Sequence, residues 1–253
     1  MRNFKLEIEY AGTHYYGWQV QNSRKVQAGY RHNQTVQRVL EDTLSKILQE
    51  DIKLTVAGRT DAGVHALGQV ANFKSLSQMP RDKLRWAANC LLPKDIKLKR
   101  ISNVSLDFNS RFCAKSKLYR YTILNRKYSS ALLADRVYFF HYHLDLKRMR
   151  REAKVLIGRH NFKSFQATDS YERNPWRTIK FIKVRKDKDL LHIEIQADSF
   201  LYNMVRSIAG TLIEVGRGRF PEGSMEKILK ARNRRLAGPT LPAKGLYLIR
   251  VRY

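Results

Sequence analysis

Asp61 stands in the run GRTDAGVHALGQV at 58–70, with Arg59 two residues before it and His65 four after it. A carboxylate and a guanidinium separated by one residue share a face where the backbone is extended. A nearby cation favours the ionised carboxylate, the state that a nucleophilic or proton-abstracting aspartate needs. Gly58, Gly63 and Gly68 give this run the freedom for a sharp bend and for close approach of a ligand to the backbone. By spacing alone the same residues also describe an ordinary turn carrying a surface ion pair.

A second chemical feature lies in FLYNMVRSIAG, where Arg206 interrupts an apolar helix. Buried arginine is rare unless paired, so an acidic neighbour is expected; Asp61, Asp198 and Glu214 are the candidates, and exposure on the polar side of the helix is the alternative. Tyr15, Tyr16 and Trp18 in one loop, and Tyr119 and Tyr121 in a strand-like run, offer aromatic faces of the kind that stack unpaired bases; the same residues suit packing within a core. Other constellations are thin. His141 and His143 have strand-compatible ligand spacing, but no cysteine or carboxylate set completes a metal site. The H-x-E and P-C-x-x-C pattern of zinc deaminases is absent. Gly216 to Gly218 spells GRG without the third glycine or strand context of a dinucleotide loop.

The elements that must position these residues follow from pattern. An alternating strand at 5–10 leads into the loop AGTHYYGWQ. A helix follows with Val36, Val39, Leu40, Leu44, Ile47 and Leu48 on one stripe and Thr35 as its N-cap. Strands at 53–57 and 70–74 flank the Asp61 turn; a helix begins near Arg81 after Pro80, and 96–101 alternates as another strand. The second half restarts with a strand at 118–124, placing Tyr119, Tyr121 and Ile123 on one face. A helix is expected from Leu146, behind Asp145, to Gly158, then a hairpin of 177–185 and 190–197 around KDKD. An apolar helix at 202–215 ends at Gly216, a short helix starts after Ser224, and the strand 245–253 finishes the chain. These readings predict an α+β fold in two domains, 1–108 and 109–253.

Composition narrows the partner. Lys and Arg number 49 against 22 Asp and Glu, a formal charge of +27. Such an excess points to a polyanion, because each neutralised phosphate releases counterions. With 43% apolar and 11% aromatic residues the charge belongs to a folded body rather than a disordered tail. The basic runs KRMRREAK (147–154) and KARNRR (230–235) read as solvated helix faces and as the best phosphate contacts. No run of about eighteen uncharged apolar residues suggests a membrane span, and the start MRNFKLEIEY reads as a strand rather than a signal peptide. Cys90 and Cys113 are too few for a disulfide framework and lack C-x-x-C spacing; they read as reduced, buried thiols of a cytoplasmic protein.

Five blocks, IEYAGTHYYGWQ, GRTDAGVHALGQV, KLYRYTI, FLYNMVRSIAGTLIEVG and LPAKGLYL, together resemble the tRNA pseudouridine synthase A family, in that family's order and from residue 6 to about 251. The resemblance implies two RNA-recognition-like α+β halves flanking a basic catalytic cleft, catalysis without a cofactor or metal, a homodimer, and isomerisation of uridine at positions 38–40 of the tRNA anticodon arm. It further implies that Asp61 is the catalytic aspartate and that Arg59 displaces or holds the target nucleotide. Tyr119 would stack on the target base, Arg206 would pair with the aspartate, and Leu246 would line an apolar pocket. Three first steps are open to the aspartate: attack on the sugar, attack on the base, or removal of the 2′ proton. The chain departs from the family at Ala11, where many members carry Asp, at Leu118, which replaces a basic residue, and in a longer, more basic connection at 22–33. A synthase acting at other tRNA positions and a tRNA-binding protein without catalysis are the rival functions.

Overall fold

The computed structural model describes residues 1–19, 34–168 and 173–253; the connection at 22–33 lies outside the described residues. The chain is a mixed α+β protein whose strands pair mostly antiparallel. It divides into two compact units, residues 1–115 with 248–253, and residues 116–247.

The first unit runs β1 (Arg2–Tyr10), α1 (Val36–Leu48), β2 (Thr55–Val56), β3 (His65–Ser75), α2 (Arg81–Leu91) and β4 (Ile96–Val104). Its strands lie in the order β4-β1-β3-β2, all neighbours antiparallel, the order of a split βαβ unit. Strand alternation decides the core. Phe4, Leu6, Ile8 and Tyr10 of β1 share a face with their register partners Phe73, Ala71 and Gln69 on β3 and Ile101, Leu98 and Ile96 on β4, and all are buried. Above this face α1 buries Val36, Leu40, Leu44 and Leu48, a spacing of four that keeps one stripe on the sheet side, and α2 adds Leu84 and Ala88. Thr35 caps α1 as its sequence indicates, its side chain accepting from the Arg38 N–H.

The second unit comprises β5 (Ser116–Leu124), β6 (Tyr138–Phe139), α3 (Leu146–Lys154), β7 (Gly158–Asn161), β8 (Trp176–Asp187), β9 (Leu190–Ala197), α4 (Met204–Gly216) and α5 (Ser224–Ala231). The strand β10 (Leu246–Arg252) begins here and ends in the first unit. The sheet order is β5-β9-β8-β7, with β6 parallel to the end of β5. Tyr119, Tyr121 and Ile123 face Ile195, Ile193 and Leu191 across β5 and β9, so the predicted single face is formed, and it is core. Nearly every position of α4 is buried, which fits a helix apolar around most of its circumference.

Three expectations need correction. The helix predicted to reach Gly158 stops at Lys154, and Gly158, at φ +107°, opens β7 instead of closing a helix. The strand after Asp61 begins at His65, not Val70, so the second half of the glycine-containing run is sheet. Cys90 and Cys113 are unpaired but exposed. Cys90 falls near the end of amphipathic α2, on the face turned away from Leu84 and Ala88, a position where periodicity outweighs the usual preference of cysteine for burial.

Candidate active site

Asp61 heads a turn of four residues that the sequence dictates. The Val64 N–H donates to the Asp61 carbonyl at 3.1 Å, and Gly63 between them has φ +77°, the conformation that a type II turn demands at its third position and that glycine adopts without strain. Asp61 itself is half-buried, Thr60 before it is buried and Arg59 is exposed. The extended pattern therefore holds, with Thr60 turned inward. The ion pair it would allow is not formed: among the described residues Arg59 makes no salt bridge to Asp61.

What holds the turn comes from the strands and the first loop. Trp18, fully buried, donates its backbone N–H to the Thr60 carbonyl at 2.9 Å, and the Gly63 N–H reaches the Tyr15 carbonyl at 3.4 Å. The Tyr10 and Thr60 hydroxyls lie 2.7 Å apart. Gln69, also fully buried, donates to the Gly58 carbonyl at 2.9 Å and to the Tyr10 oxygen at 3.4 Å. His65 Nδ1 accepts the Gly12 N–H at 3.1 Å. A bulge in the β1–β3 register between Ile8 and Tyr10 falls where β3 leaves the turn, and such bulges re-aim side chains. Burial pushes the Tyr10 phenol up to about 12; hydrogen bonds to Thr60 and Gln69 oppose the rise and the Asp61 carboxylate adds to it. Tyr10 is thus a neutral hydroxyl within electrostatic reach of Asp61.

The aromatic loop is divided between the two roles its residues allow. Tyr15 and Trp18 are core, Tyr15 donating to the Asp95 carboxylate at 2.7 Å and Trp18 packing beside the Tyr10 ring. Tyr16 is half-buried. Ala11 spends its N–H on the Asp95 carbonyl at 2.9 Å.

In the second unit Tyr119 lies on β5, 8% exposed, with its ring edge-on to Phe200 at 5.1 Å between centroids. Tyr121 is fully buried and donates to the Pro242 carbonyl at 2.7 Å, so it is a structural tyrosine. Arg206, on α4, is half-buried; its Nε donates to the Leu241 carbonyl and its Nη1 to Asn203 Oδ1, each at 2.6 Å. The segment 241–246 is thereby gripped by α4 and by β5, and it delivers Leu246, buried, as the first residue of β10. Two of the acids weighed as partners of Arg206 are engaged elsewhere. Asp198 accepts from the Thr178 and Ser199 N–H groups, and Glu214 pairs with Arg217 and Arg219.

Most basic residues of the two runs, Lys147, Arg150, Arg151, Lys154, Lys230, Arg232 and Arg235, are exposed as expected, and some also brace the fold. Arg148 donates to the Phe220 carbonyl, Arg150 to the Val184 carbonyl, and Arg234 to the carbonyls of Ala237 and Gly238. His141 and His143 are exposed, and among the described residues no group of three His, Cys, Asp or Glu could hold a metal. No helix among them is long and apolar enough to cross a membrane. Sequence reasoning missed Tyr10, Thr60 and Gln69; the signal available was a glutamine placed in an otherwise apolar strand run.

The family model described as tRNA pseudouridine synthase matches residues 7–113 and 153–253. A tRNA pseudouridine synthase A of Caldicellulosiruptor saccharolyticus is 46% identical over 253 residues, covering all of both chains. That of Acetivibrio thermocellus is 44% identical over the same span, and that of Klebsiella pneumoniae 41% over 248 residues, 98% of this chain and 88% of its own. Among solved structures, a chain in a Cbf5–Nop10–Gar1 complex aligns over 83% of this chain and 54% of its own, at a TM-score of 0.38 and 12% identity. With a matching family model over most of its length and full-length relatives above two-fifths identity, the chain belongs to the tRNA pseudouridine synthase family.

Proposed function

We propose that this chain isomerises uridine to pseudouridine in the anticodon stem-loop of tRNA, at positions 38–40, and that Asp61 carries the reaction. The observation that supports this most is the half-buried carboxylate at the head of a turn pinned by Trp18, Tyr10 and Gln69, in a chain of this family. The reaction is redox-neutral. The N1–C1′ bond of uridine breaks, the base turns, a C5–C1′ bond forms, C5 loses its hydrogen and N1 gains one. One ionised carboxylate suffices to begin it, by attack on sugar or base or by removal of the 2′ proton, and no cofactor or metal is required by the balance. The remaining roles follow the resemblance: Arg59, exposed beside Asp61, displaces or holds the target nucleotide; Tyr119 stacks on the target base; Arg206 pairs with the aspartate; Leu246 lines the apolar pocket. Flipping a base out of its stack costs a few kcal/mol, and stacking with phosphate contacts offsets it.

The proposed enzyme works in the cytoplasm, where the exposed, unpaired Cys90 and Cys113 stay reduced, and as a homodimer, as the resemblance implies. The test is release of tritium from tRNA labelled at C5 of uridine, followed by mapping of the modified nucleotides. Release confined to tRNA with uridine at 38–40 is expected. Tight tRNA binding without release would mark a binding protein, and pseudouridine at other positions would mark a synthase of different specificity.

A further inference from the structure

A buried side-chain contact ties the Asp61 turn to the sheet at the residue next to the carboxylate. Thr60 is the residue before Asp61, and its hydroxyl meets that of Tyr10 at 2.7 Å inside the core. Further ties use main-chain atoms of the run, the Thr60 carbonyl to Trp18, the Gly58 carbonyl to Gln69 and the Gly63 N–H to Tyr15, and the His65 ring accepts the Gly12 N–H. Those bonds fix the path of the backbone. The Tyr10–Thr60 bond adds a side-chain anchor on the residue before Asp61, holding that residue in place against β1. Tyr10 is itself immobilised, on β1 between β3 and β4, 2% exposed and packed beside Trp18.

We propose that Tyr10 is a positioning residue of the reaction, acting through the Thr60 hydroxyl to hold the Asp61 carboxylate in its working orientation. The proposal rests on the assignment of Asp61 as the group that starts the reaction. Tyr10 touches neither base nor sugar in this account and exchanges no proton in the cycle. Its phenol stays protonated at working pH because burial has raised it, so the hydroxyl pair is intact throughout turnover. Small misplacements of a reacting group are costly, on the order of 100-fold for about 1 Å, so the loss of this tie is expected in the rate of the chemical step and not in tRNA affinity.

The test compares Tyr10→Phe, Thr60→Val, Thr60→Ser, the double variant Tyr10→Phe/Thr60→Val, and Asp61→Asn. Single-turnover tritium release and tRNA binding are measured for each on folded protein. Tyr10→Phe and Thr60→Val are expected to slow release by about 10- to 100-fold with binding unchanged. The double variant should be no slower than the slower single one, because both remove the same bond. Thr60→Ser keeps the hydroxyl and should keep the rate, which a purely structural role of Thr60 packing would not predict. If Tyr10→Phe does not fold, the contrast between Thr60→Val and Thr60→Ser decides. Full activity in Tyr10→Phe or Thr60→Val beside a dead Asp61→Asn overturns the positioning alone. An active Asp61→Asn overturns the assignment of Asp61 and this proposal with it.

Discussion

Gly17 holds φ +81°, and a Cβ there would fall on the Thr60 carbonyl and within 2.9 Å of the Asp61 carbonyl carbon. Conformation and contact both exclude a side chain, so this glycine lets the first loop lie directly against the Asp61 turn. Gly17→Ala is therefore expected to cost about 1–3 kcal/mol of stability, read from the shift of the urea midpoint, and to slow catalysis beyond what the lost stability explains. At this scale the sequence was informative about residue types and poor about their neighbours. Spacing marked the Asp61 turn and its glycines but did not distinguish a reactive aspartate from an ordinary turn. The missing Arg59–Asp61 ion pair was not legible, because sharing a face allows a contact without forming it, and an exposed guanidinium gains little by forming one. The cradle of Tyr10, Thr60 and Gln69 was hidden because its members lie about 10 and 50 residues apart in the chain, brought together only by the β1–β3 register.

Elements were legible wherever one periodicity ran without competition. The stripe of α1, its Thr35 cap, the start of α2 after Pro80 and the β8–β9 hairpin needed no tertiary information. Boundaries failed where packing overrode local signal. α3 ends at Lys154 although Leu156 continues its apolar period, and Leu156 is buried from a turn instead. β3 begins at His65 because pairing with β1 recruits residues whose glycines suggested a loop. One device joins elements in a way no local pattern announces. Glu152 on α3, 3% exposed, accepts the N–H groups of Gly223 and Met225 at 2.7 and 3.0 Å, so one helix caps the N-terminus of another, α5. A carboxylate is well placed there, since the helix N-terminus is electropositive. Glu152→Ala should cost about 2–3 kcal/mol by leaving buried donors unpaired, and Glu152→Gln, which keeps an acceptor oxygen, should cost less. Urea unfolding of the two variants checks the order; equal stability of Glu152→Ala and the unmodified protein would remove the cap from the account.

For the whole molecule, charge is the plainest feature of the sequence. A surplus of 27 positive charges on a folded body predicts that tRNA binding is driven largely by counterion release. If roughly six to ten phosphates are contacted, affinity should fall by about 10³- to 10⁵-fold between about 50 and 200 mM salt; a flat dependence would assign recognition to stacking and hydrogen bonds instead. The α+β class was readable from the alternation of strands and helices, and the split-βαβ order of the first unit follows from its β1–β3 and β1–β4 pairings, which no single-strand pattern encodes. What charge and fold cannot supply is chemistry, which the proposed function assigns to Asp61. The most direct measurement is tritium release from C5-labelled tRNA by Asp61→Asn, an isosteric change that removes the charge and keeps the turn, with tRNA binding followed in parallel. The account predicts unchanged binding and no release; release near the unmodified rate would contradict it.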